Sequence, residues 1–353
     1  MTLSLLCLAG DGIGPEIMAA TKEVVEAACA KSGDSVILTD KDIGFAALNA
    51  GYSTIPESVI EAAHAVDGVI LGPVSHNAYP PKEEGGLNPS GVLRKELDLY
   101  ANIRPAKSFD GLPTPTGAPV DLVIFRENLE GFYADRNLYA GTGEFMPVPG
   151  VAMSMRLITE RGSERIARAA FDFAGGNGRK KVTAVHKANV MRTSDGLFLE
   201  VVRRIAAEHP DIQYDEVLVD AAAALLVRDP DRFDVIVTTN MFGDILSDLS
   251  TELAGGLGLA ASLNLGSENV AAQAQHGSAP DIAGQDRANP TSLVGSAAML
   301  LGHLGLGRAE TLIEQALKTA IANPLTRTAD LGGPLGTRAF ASVLVDFIQK
   351  ADA

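Results

Sequence analysis

Cysteine is scarce in this chain, and its scarcity excludes several kinds of site. The 353 residues include only two cysteines, Cys7 and Cys29. Cys7 stands in an apolar, strand-like run and Cys29 in an apolar, helix-like run, with neither a C-x-x-C pair nor a metal-ligating partner nearby. We therefore expect two inert core residues and no redox or metal chemistry based on cysteine.

Long apolar runs are also missing. No stretch reaches the roughly 20 predominantly apolar residues that a membrane-spanning helix needs. The first residues, MTLSLLCLAGDGIGPE, contain no basic segment and no small-residue cleavage site, so their short apolar run predicts a first buried strand rather than a signal peptide. These features predict a cytoplasmic protein that does not bind membranes.

Positive charge is in deficit. The chain has 29 Lys and Arg residues against 44 Asp and Glu residues, a net charge of -15. Only the short GRKK segment at 178–181 interrupts this acidity locally. Such a protein repels nucleic acid and anionic lipid. A small anionic substrate would need a local positive site, which draws attention to individually placed arginines.

The length and patterning of the chain predict two domains of the α/β class. Apolar strand-like runs such as DLVIF, KVTAVH and DVIVTT alternate with helical patterns, which predicts a mixed, largely parallel sheet. Loops rich in Gly and Pro separate a domain of residues 1–105 plus 258–353 from one of residues 106–257. Residues near 134–158 have few helix signals and predict an extended arm or hairpin that packs against a dimer partner.

Three aspartates form a candidate metal site. The segment TTNMFGDILSD places Asp244 and Asp248 four residues apart at a predicted helix start, where their side chains share one face. Asp220 ends the strand-like run EVLVD. Carboxylate oxygens suit Mg²⁺ or Mn²⁺. For an isolated pair, the alternative is a set of acids that complements the helix dipole.

Three arginines form a candidate anion site. Arg94 and Arg104 lie in GVLRKELDLYANIRP, and Arg126 lies in FRENLEGFY together with Tyr133. Guanidinium groups bind carboxylates in a planar, bidentate way, so converging arginines would hold a di- or tricarboxylate. Arg104 directly precedes Pro105, where a strand is expected to end. The alternatives are surface ion pairs for the arginines and a core ring for Tyr133.

A lysine and a long loop complete the candidate chemistry. Lys187 follows KVTAVH, where a lysine near a metal can take a proton from a substrate hydroxyl; the alternative is an ordinary surface lysine. The loop HGSAPDIAGQDRANP, residues 276–290, offers small residues to a phosphate and Asp281 to both hydroxyls of a ribose. By contrast, GDGIGPE at 10–16 has the wrong spacing for a dinucleotide fingerprint and predicts a structural turn.

Taken together, these segments resemble the β-decarboxylating dehydrogenases, the family of isocitrate, 3-isopropylmalate, homoisocitrate, tartrate and D-malate dehydrogenases. GDGIGPE, LRKELDLYANIRP, REN-x-EG-x-Y, HKANVM, TTNMFGDILSD, GGLGLA and HGSAPDIAG-x-x-x-ANP occur in the family's order over essentially the whole chain. The resemblance implies an isopropylmalate dehydrogenase-like two-domain α/β fold, different from the classical Rossmann fold. It also implies a homodimer with active sites in interdomain clefts, to which the partner subunit contributes the lysine and one aspartate.

The resemblance further implies NAD- and metal-dependent oxidative decarboxylation of a (2R)-2-hydroxy acid with a β-carboxylate. In that scheme Lys187 assists loss of the hydroxyl proton and Tyr133 protonates the enolate. The carboxylates bind Arg94, Arg104 and Arg126, and Mg²⁺ or Mn²⁺ binds Asp220, Asp244 and Asp248. The implied cofactor contacts are Asn189, His276, Gly277, Ser278, Ala279, Asp281, Ile282 and Asn289. The Asp281-Ile282 pair resembles the NAD pattern, since a carboxylate repels the 2′-phosphate of NADP.

The choice of substrate depends on the helix before Arg94. The resemblance places Asn88 and Ser90 against the variable group of the substrate, and this polar pair favours isocitrate or homoisocitrate over 3-isopropylmalate, tartrate or D-malate. Gln273 departs from the family, which often has Glu there. A non-catalytic regulatory subunit is the alternative from another class, and the presence of the candidate catalytic and metal-binding residues disfavours it.

Overall fold

The computed structural model describes residues 2–133, 138 and 141–351, which form alternating strands and helices. The strands are β1 (Thr2–Leu8), β2 (Ser35–Asp40), β3 (Gly68–Leu71), β4 (Ala101–Lys107), β5 (Asp121–Glu127), β6 (Glu144–Val148), β7 (Val151–Ser154), β8 (Lys181–His186), β9 (Gln213–Leu218), β10 (Val235–Thr238), β11 (Leu263–Leu265) and β12 (Val270–Gln273). The α-helices are α1 (Gly14–Ser32), α2 (Phe45–Asn49), α3 (Glu57–His64), α4 (Pro89–Glu96), α5 (Glu160–Gly176), α6 (Ser194–Glu208), α7 (Val219–Arg228), α8 (Asn240–Ala254), α9 (Thr291–His303), α10 (Gly307–Ala322) and α11 (Thr337–Lys350). The predicted α/β class with largely parallel strands is confirmed.

The chain divides into two compact units. The first contains Met1–Leu97, Phe109–Pro113 and Gly255–Ala353, and the second contains Asp98–Ser108 and Thr114–Ala254. The first boundary therefore lies before β4 and not at residue 105. The reason is that β4 pairs with β5 along its whole length, which ties β4 to the second unit.

In the first unit, β1 pairs in parallel with β2 and β3, β3 pairs in parallel with β12, and β12 pairs antiparallel with β11. Leu5 and Leu6 of β1 point to opposite faces of the strand and are both fully buried. Helices α1, α9, α10 and α11 pack against one another in this unit. Helix α1 ends at Gly33, whose left-handed backbone (φ 84°) suits a residue without a side chain.

In the second unit, β4 and β5 pair antiparallel, and β5, β10, β8 and β9 follow in parallel. The alternation of side chains along β5 places consecutive residues on opposite faces. Ile124 joins a core cluster with Leu246 of α8 and Leu226 of α7. Phe125 packs its ring 5.2 Å from that of Phe173 in α5. Helices cover both faces of these strands. Side chains on both faces are therefore buried, and the strands are continuous apolar runs in the sequence.

The parallel strands of the second unit bring their carboxyl ends to one edge. Arg126 lies near the end of β5, Lys187 directly follows β8, Asp220 follows β9 in the first turn of α7, and α8 begins after β10. Ligand sites in α/β proteins form outside the carboxyl ends of parallel strands. The topology of this unit therefore collects residues from four separate candidate segments at one edge.

Strands β6 and β7 form an antiparallel hairpin with a register shift between Phe145 and Val148. Its apolar side chains Phe145, Met146, Val148, Val151 and Met153 are exposed. This hairpin lies in the segment predicted as an arm, of which residues 134–137, 139 and 140 fall outside the described residues. No helix among the described residues has the length and hydropathy needed to cross a membrane.

Both cysteines are core residues, as expected. Cys7 and Cys29 are buried and carry free thiols. Burial raises the pKa of each thiol to about 11, so neither forms a thiolate at neutral pH.

Candidate active site

The strongest candidate site is a group of four charged side chains in the second unit, Arg104, Arg126, Asp244 and Asp248, which we call the arginine–aspartate cluster. Nη1 of Arg104 lies 3.4 Å from Oδ1 of Asp244 and 3.2 Å from Oδ1 of Asp248. Arg126 donates to Asp244 as well. The two arginines are buried and the two carboxylates are partly exposed, so the carboxylates lie between the solvent and the guanidinium groups.

Neutral side chains fix the direction of both guanidinium groups. Nε and Nη2 of Arg126 donate to Oδ1 of Asn240 over 3.0 and 2.7 Å. Arg104 donates to Oγ of Ser247 over 2.7 Å and, through Nε, to Asn102. A guanidinium held by neutral groups keeps its orientation and its charge, which is the condition for binding a carboxylate in a defined pose.

Gly243 allows α8 to approach β5 at this point. A Cβ atom at Gly243 would lie 2.6 Å from Cβ and Cγ of Arg126. Real Cβ contacts are essentially never that short, so only glycine permits the observed distance. The glycine thereby places Asp244, the next residue, against Arg126.

Burial and the charge of Arg126 lower the pKa of Arg104 to about 10, although Asp244 and Asp248 oppose the shift. Arg104 remains protonated at neutral pH, since its pKa stays well above 7. Tyr133 contributes to the same electrostatic balance, which places its hydroxyl in the field of Arg104.

The prediction that a strand ends at Arg104 is wrong. Arg104 lies in the middle of β4, and Pro105 continues the strand opposite Val123. The N–H of Val123 donates to the backbone carbonyl of Asp234 over 3.0 Å and so points away from β4. In an antiparallel pair the opposite residue then also points away, so the missing N–H of Pro105 costs no bond to β5.

Asp244 and Asp248 share one face of α8, one turn apart, as the spacing predicted. They lie beyond the first turn of the helix, which contains no acidic residue. The helix dipole acts mainly within that first turn, so the dipole interpretation does not account for this pair. Their carboxylate oxygens are the donor type that Mg²⁺ and Mn²⁺ prefer.

The third predicted metal ligand, Asp220, pairs with Lys187 of the same chain. Nζ of Lys187 donates to Oδ1 of Asp220, and this hydrogen bond lowers the pKa of the carboxyl. Asp220 belongs to the first turn of α7 and not to β9, which ends at Leu218. Within the described part of the chain, no group of three or more His, Cys, Asp or Glu side chains is arranged to hold a metal ion.

A buried ion pair that the sequence did not indicate holds the backbone of Lys187. Asp195 is fully buried and accepts the N–H of Lys187 over 2.6 Å. Its other oxygen pairs with Arg156, at the base of the β6–β7 hairpin. Arg156 also donates to Oγ1 of Thr239 over 3.0 Å and stacks 5.5 Å above the Phe242 ring. The hairpin, the start of α8 and the lysine are thus joined by one network.

The turn after β8 places the predicted cofactor contact Asn189 in an exposed position. In the same turn the N–H of Ala188 donates to Nδ1 of His186 over 3.1 Å. Burial lowers the pKa of His186, which favours the neutral ring that can accept this bond.

Helix α4 of the first unit presents Ser90 and Arg94 on one face. Both donate to Oε1 of Gln273, over 3.1 and 3.2 Å. Asn88, the other residue predicted to face the substrate, caps α4, because its Oδ1 accepts the N–H of Gly91. A capping residue fixes where α4 begins and so orients the two residues that follow.

The predicted cofactor loop packs against the GDGIGPE turn. The N–H of Ile13 donates to the carbonyl of Ser278 over 2.8 Å, and a Cβ at Gly12 would lie 1.9 Å from that carbonyl oxygen. Oγ of Ser75 lies 2.7 Å from Oγ of Ser278. The sequence interpretation of GDGIGPE as a structural turn is confirmed, and what the turn supports is the loop.

Within this loop, His276 and Asn289 are differently engaged. Nδ1 of His276 lies 2.9 Å from the Gly277 carbonyl, whereas its buried Nε2 has no hydrogen-bond partner among the described residues. Burial lowers the pKa of this ring. Asn289 donates to Asp330 over 2.9 Å and accepts from the N–H of Thr291 at the start of α9.

The remaining predicted cofactor contacts lie between these two. Ala279 adopts a left-handed backbone (φ 36°), which is uncommon for a residue with a side chain. Asp281 is exposed and Ile282 half-buried. An orphaned ring nitrogen and an exposed carboxylate on one supported loop are consistent with a bound nucleotide.

Comparison with known proteins identifies the family of this chain. The family model for isocitrate/isopropylmalate dehydrogenase matches residues 4–346. A probable NAD isocitrate dehydrogenase subunit alpha of Caenorhabditis elegans is 44% identical over 92% of this chain and 86% of the relative. A 3-isopropylmalate dehydrogenase of Archaeoglobus fulgidus is 40% identical over 98% of this chain and 99% of the relative.

A solved structure agrees as well. The crystal structure of isocitrate dehydrogenase from Methylococcus capsulatus has a TM-score of 0.89 and 41% identity, covering 99% of this chain and 100% of the other. The chain therefore belongs to the isocitrate/isopropylmalate dehydrogenase family, which has NAD-dependent decarboxylating dehydrogenases among its members.

Proposed function

We propose that this protein oxidises a (2R)-2-hydroxy acid with a β-carboxylate, using NAD as hydride acceptor, and then releases CO₂ from the resulting 2-oxo acid. The observation that carries the proposal is the arginine–aspartate cluster, in which Arg104 of β4 and Arg126 of β5 meet Asp244 and Asp248 of α8. It combines two buried guanidinium groups for carboxylates with two exposed carboxylates for a divalent ion, and both are needed for a hydroxy diacid.

Arg104 and Arg126 bind the substrate carboxylates in this proposal, together with Arg94. Their side chains are already oriented by Asn102, Asn240 and Ser247, so little ordering accompanies binding. An incoming carboxylate replaces part of the contact between the arginines and Asp244. That exchange frees Asp244 to serve as a ligand at the moment when the substrate arrives.

The donor set fits Mg²⁺ or Mn²⁺, with Asp244, Asp248 and Asp220 as the proposed ligands. A bound ion would polarise the hydroxyl oxygen and stabilise negative charge on the same oxygen during decarboxylation. Asp248 lies one turn from Asp244 on α8, so both would face the same ion.

Proton transfer falls to Lys187 and Tyr133 in this scheme. Lys187 takes the proton of the substrate 2-hydroxyl as hydride leaves C2, and its backbone is held for that role by Asp195. Tyr133 returns a proton to C3 after CO₂ has left.

We further propose a homodimer in which each site uses residues of two copies. Asp220 is paired with Lys187, and the described residues of one chain contain no group of three acids disposed to hold a metal. A second copy would supply the lysine and Asp220 together. The exposed apolar side chains of the β6–β7 hairpin supply the kind of surface that subunit contact buries.

For the cofactor, we propose that His276, Gly277, Ser278, Ala279, Asp281, Ile282 and Asn289 of the loop, with Asn189, bind NAD. The unpartnered Nε2 of His276 is available to a nucleotide, and the exposed Asp281 can accept from the ribose hydroxyls. The carboxylate disfavours NADP because it would face a 2′-phosphate.

For the substrate, we propose isocitrate or homoisocitrate, with 3-isopropylmalate as the second candidate. Ser90 and Arg94 present hydroxyl and guanidinium groups on one face of α4, which suits a polar or charged side group. The relatives include both isocitrate and 3-isopropylmalate dehydrogenases, so family membership leaves these two open.

The test is NADH formation with isocitrate, homoisocitrate, 3-isopropylmalate, tartrate and D-malate, each with NAD and Mg²⁺ or Mn²⁺. We expect the highest kcat/KM with isocitrate or homoisocitrate, with CO₂ released in a 1:1 ratio to NADH. A chain that forms no NADH with any of the five acids would instead be a non-catalytic regulatory subunit.

A further inference from the structure

The side-chain carbonyl of Gln273 accepts hydrogen bonds from three donors, which lie on two other elements of the first unit. Its Oε1 lies 3.1 Å from Oγ of Ser90, 3.2 Å from Nη2 of Arg94 and 3.4 Å from Nδ2 of Asn264. Gln273 is the last residue of β12, whereas the donors come from α4 and β11. One side-chain carbonyl therefore joins the helix that presents Ser90 and Arg94 to the end of the neighbouring strand.

The orientation of the amide follows from the chemistry of its neighbours. A guanidinium group only donates, so the carbonyl oxygen of Gln273, and not its NH₂ group, must face Arg94. Ser90 and Arg94 are one helical turn apart and so reach the same acceptor. Asn264 is also tied to the main chain of Ala271 over 3.3 Å, which anchors the arrangement to the strands.

The charge of the acceptor matters as much as its position. Ser90 and Asn264 are buried, so charges here interact more strongly than they would in water. A carboxylate at position 273 would form an ion pair with Arg94 at this distance. The neutral amide instead accepts a hydrogen bond and adds no negative charge that would compete with an anionic ligand.

We propose that Gln273 is a positioning residue for substrate binding, which aligns Ser90 and Arg94 while adding no charge that competes with a substrate carboxylate for Arg94. The inference rests on the proposed function, because it takes Arg94 as a carboxylate-binding residue. It assigns the specificity of this helix face to a residue of another element, at the end of β12.

Two substitutions distinguish the effect of a negative charge at position 273 from the effect of losing the alignment of Ser90 and Arg94. Gln273→Glu keeps the acceptor and adds a charge, and we expect KM for the hydroxy acid to rise about tenfold, because the new carboxylate competes for Arg94. Gln273→Leu removes the acceptor without adding charge, and we expect KM to rise roughly threefold from lost alignment. In both variants, kcat and KM for NAD should stay within about twofold of the wild type, since the side-chain hydrogen bonds of Gln273 run to Ser90, Arg94 and Asn264.

Gln315→Glu is the matched control, because it adds the same charge at an exposed position on α10 of the same unit. The measurement uses the acid of the five-member panel with the highest kcat/KM. Equal KM values for Gln273→Glu and Gln315→Glu would overturn the inference, as would a loss confined to kcat. If Gln273→Glu did not fold, an unchanged KM in Gln273→Leu would overturn it equally.

Calorimetric binding of isocitrate without NAD distinguishes this inference from the proposed function. Wild-type protein that binds isocitrate but turns over none of the five acids would contradict the proposed function alone. The ratio of isocitrate dissociation constants between Gln273→Glu and Gln315→Glu would still decide the role of Gln273, with about tenfold expected and unity overturning it.

Discussion

At the scale of single residues, we propose that Asp281 decides between NAD and NADP. It lies on a loop supported by the Gly12 turn, so the backbone around it is constrained while its carboxylate faces solvent. A carboxylate accepts hydrogen bonds from ribose hydroxyls and repels a phosphate at the same position.

Asp281→Lys should therefore reverse the cofactor preference. We expect kcat/KM with NAD to fall at least about tenfold and that with NADP to rise, since a lysine loses the acceptor and attracts the 2′-phosphate. Asp281→Asn is the matched variant, because it removes the charge and keeps an acceptor oxygen. It should lose less NAD activity than the lysine variant, and an unchanged NAD/NADP ratio in both variants would contradict the assignment.

Glu310 provides a test of pH dependence at the same scale. Burial and the charge of Glu314 together raise the pKa of Glu310 to about 7. A carboxyl whose pKa is raised by folding stabilises the fold fully below about pH 4.5 and progressively loses that contribution up to about pH 7.

Glu310→Gln should accordingly increase the free energy of unfolding at pH 8 by about 1 kcal/mol, a figure that allows for partial screening by solvent, and should have little effect at pH 4.5. Urea unfolding at the two pH values measures the difference. Glu61→Gln, at an exposed position on α3, is the control. A gain of equal size at both pH values would contradict the role of the ionised carboxylate.

At the scale of elements, the spacing between α8 and β5 sets the geometry of the arginine–aspartate cluster. Replacing glycine by alanine inside a helix ordinarily stabilises it by about 0.5–1 kcal/mol. At Gly243 the new methyl group would overlap Arg126, so the clash outweighs the helix propensity.

We expect Gly243→Ala to lower kcat/KM by about 100-fold, because a shift of about 1 Å is enough to misplace reacting groups. The free energy of unfolding should fall by about 1–3 kcal/mol. Gly196→Ala in α6 is the matched control, since no heavy atom lies within 4 Å of the Cβ it would add. It should retain activity, and full activity in Gly243→Ala would show that the helix does not need this close contact.

Strands β3, β5, β8 and β10 were predictable because each is a largely apolar run buried on both faces. The residues that orient the side chains of the site could not be predicted from the sequence. Asp195 and Arg156 are distant in sequence from one another, and nothing in their local patterns indicates that they meet under Lys187. Asp220 was assigned to a strand because the run EVLVD is apolar, whereas β9 turns into α7 after Leu218.

At the scale of the whole molecule, family membership and fold are established, whereas the dimer, the cytoplasmic location and the substrate remain predictions. The substrate is the hardest property to predict from sequence because Ser90 and Arg94 are hydrogen-bonded to Gln273, which follows them by 183 and 179 residues. A sequence motif shows that Ser90 and Arg94 are present, but it does not show that they contact Gln273.

A mixing experiment tests whether sites are shared between copies. Lys187→Met and Asp244→Asn should each abolish turnover when alone. If Lys187 acts in the site of the other copy, each mixed dimer contains one site with both native residues, and random reassociation should restore about one quarter of wild-type activity.

If Lys187 and Asp244 served a site within one chain, no mixed dimer would contain an intact site, and the mixture would stay inactive. Mixing Lys187→Met with a second preparation of Lys187→Met is the control for recovery caused by refolding itself. The size of the two proteins in solution, measured by light scattering, would show whether they form dimers at all.

The order in which the strands pair has a consequence for synthesis on the ribosome. Strand β3 needs β12 as its neighbour, yet residues 98–254 must be translated between the two. At ordinary elongation rates that interval lasts roughly 10–30 s, and domains generally fold as units while the chain emerges. The second unit is nearly continuous in the chain, so it can fold and form the arginine–aspartate cluster before β12 has been synthesised. The sheet of the first unit can be completed only after that.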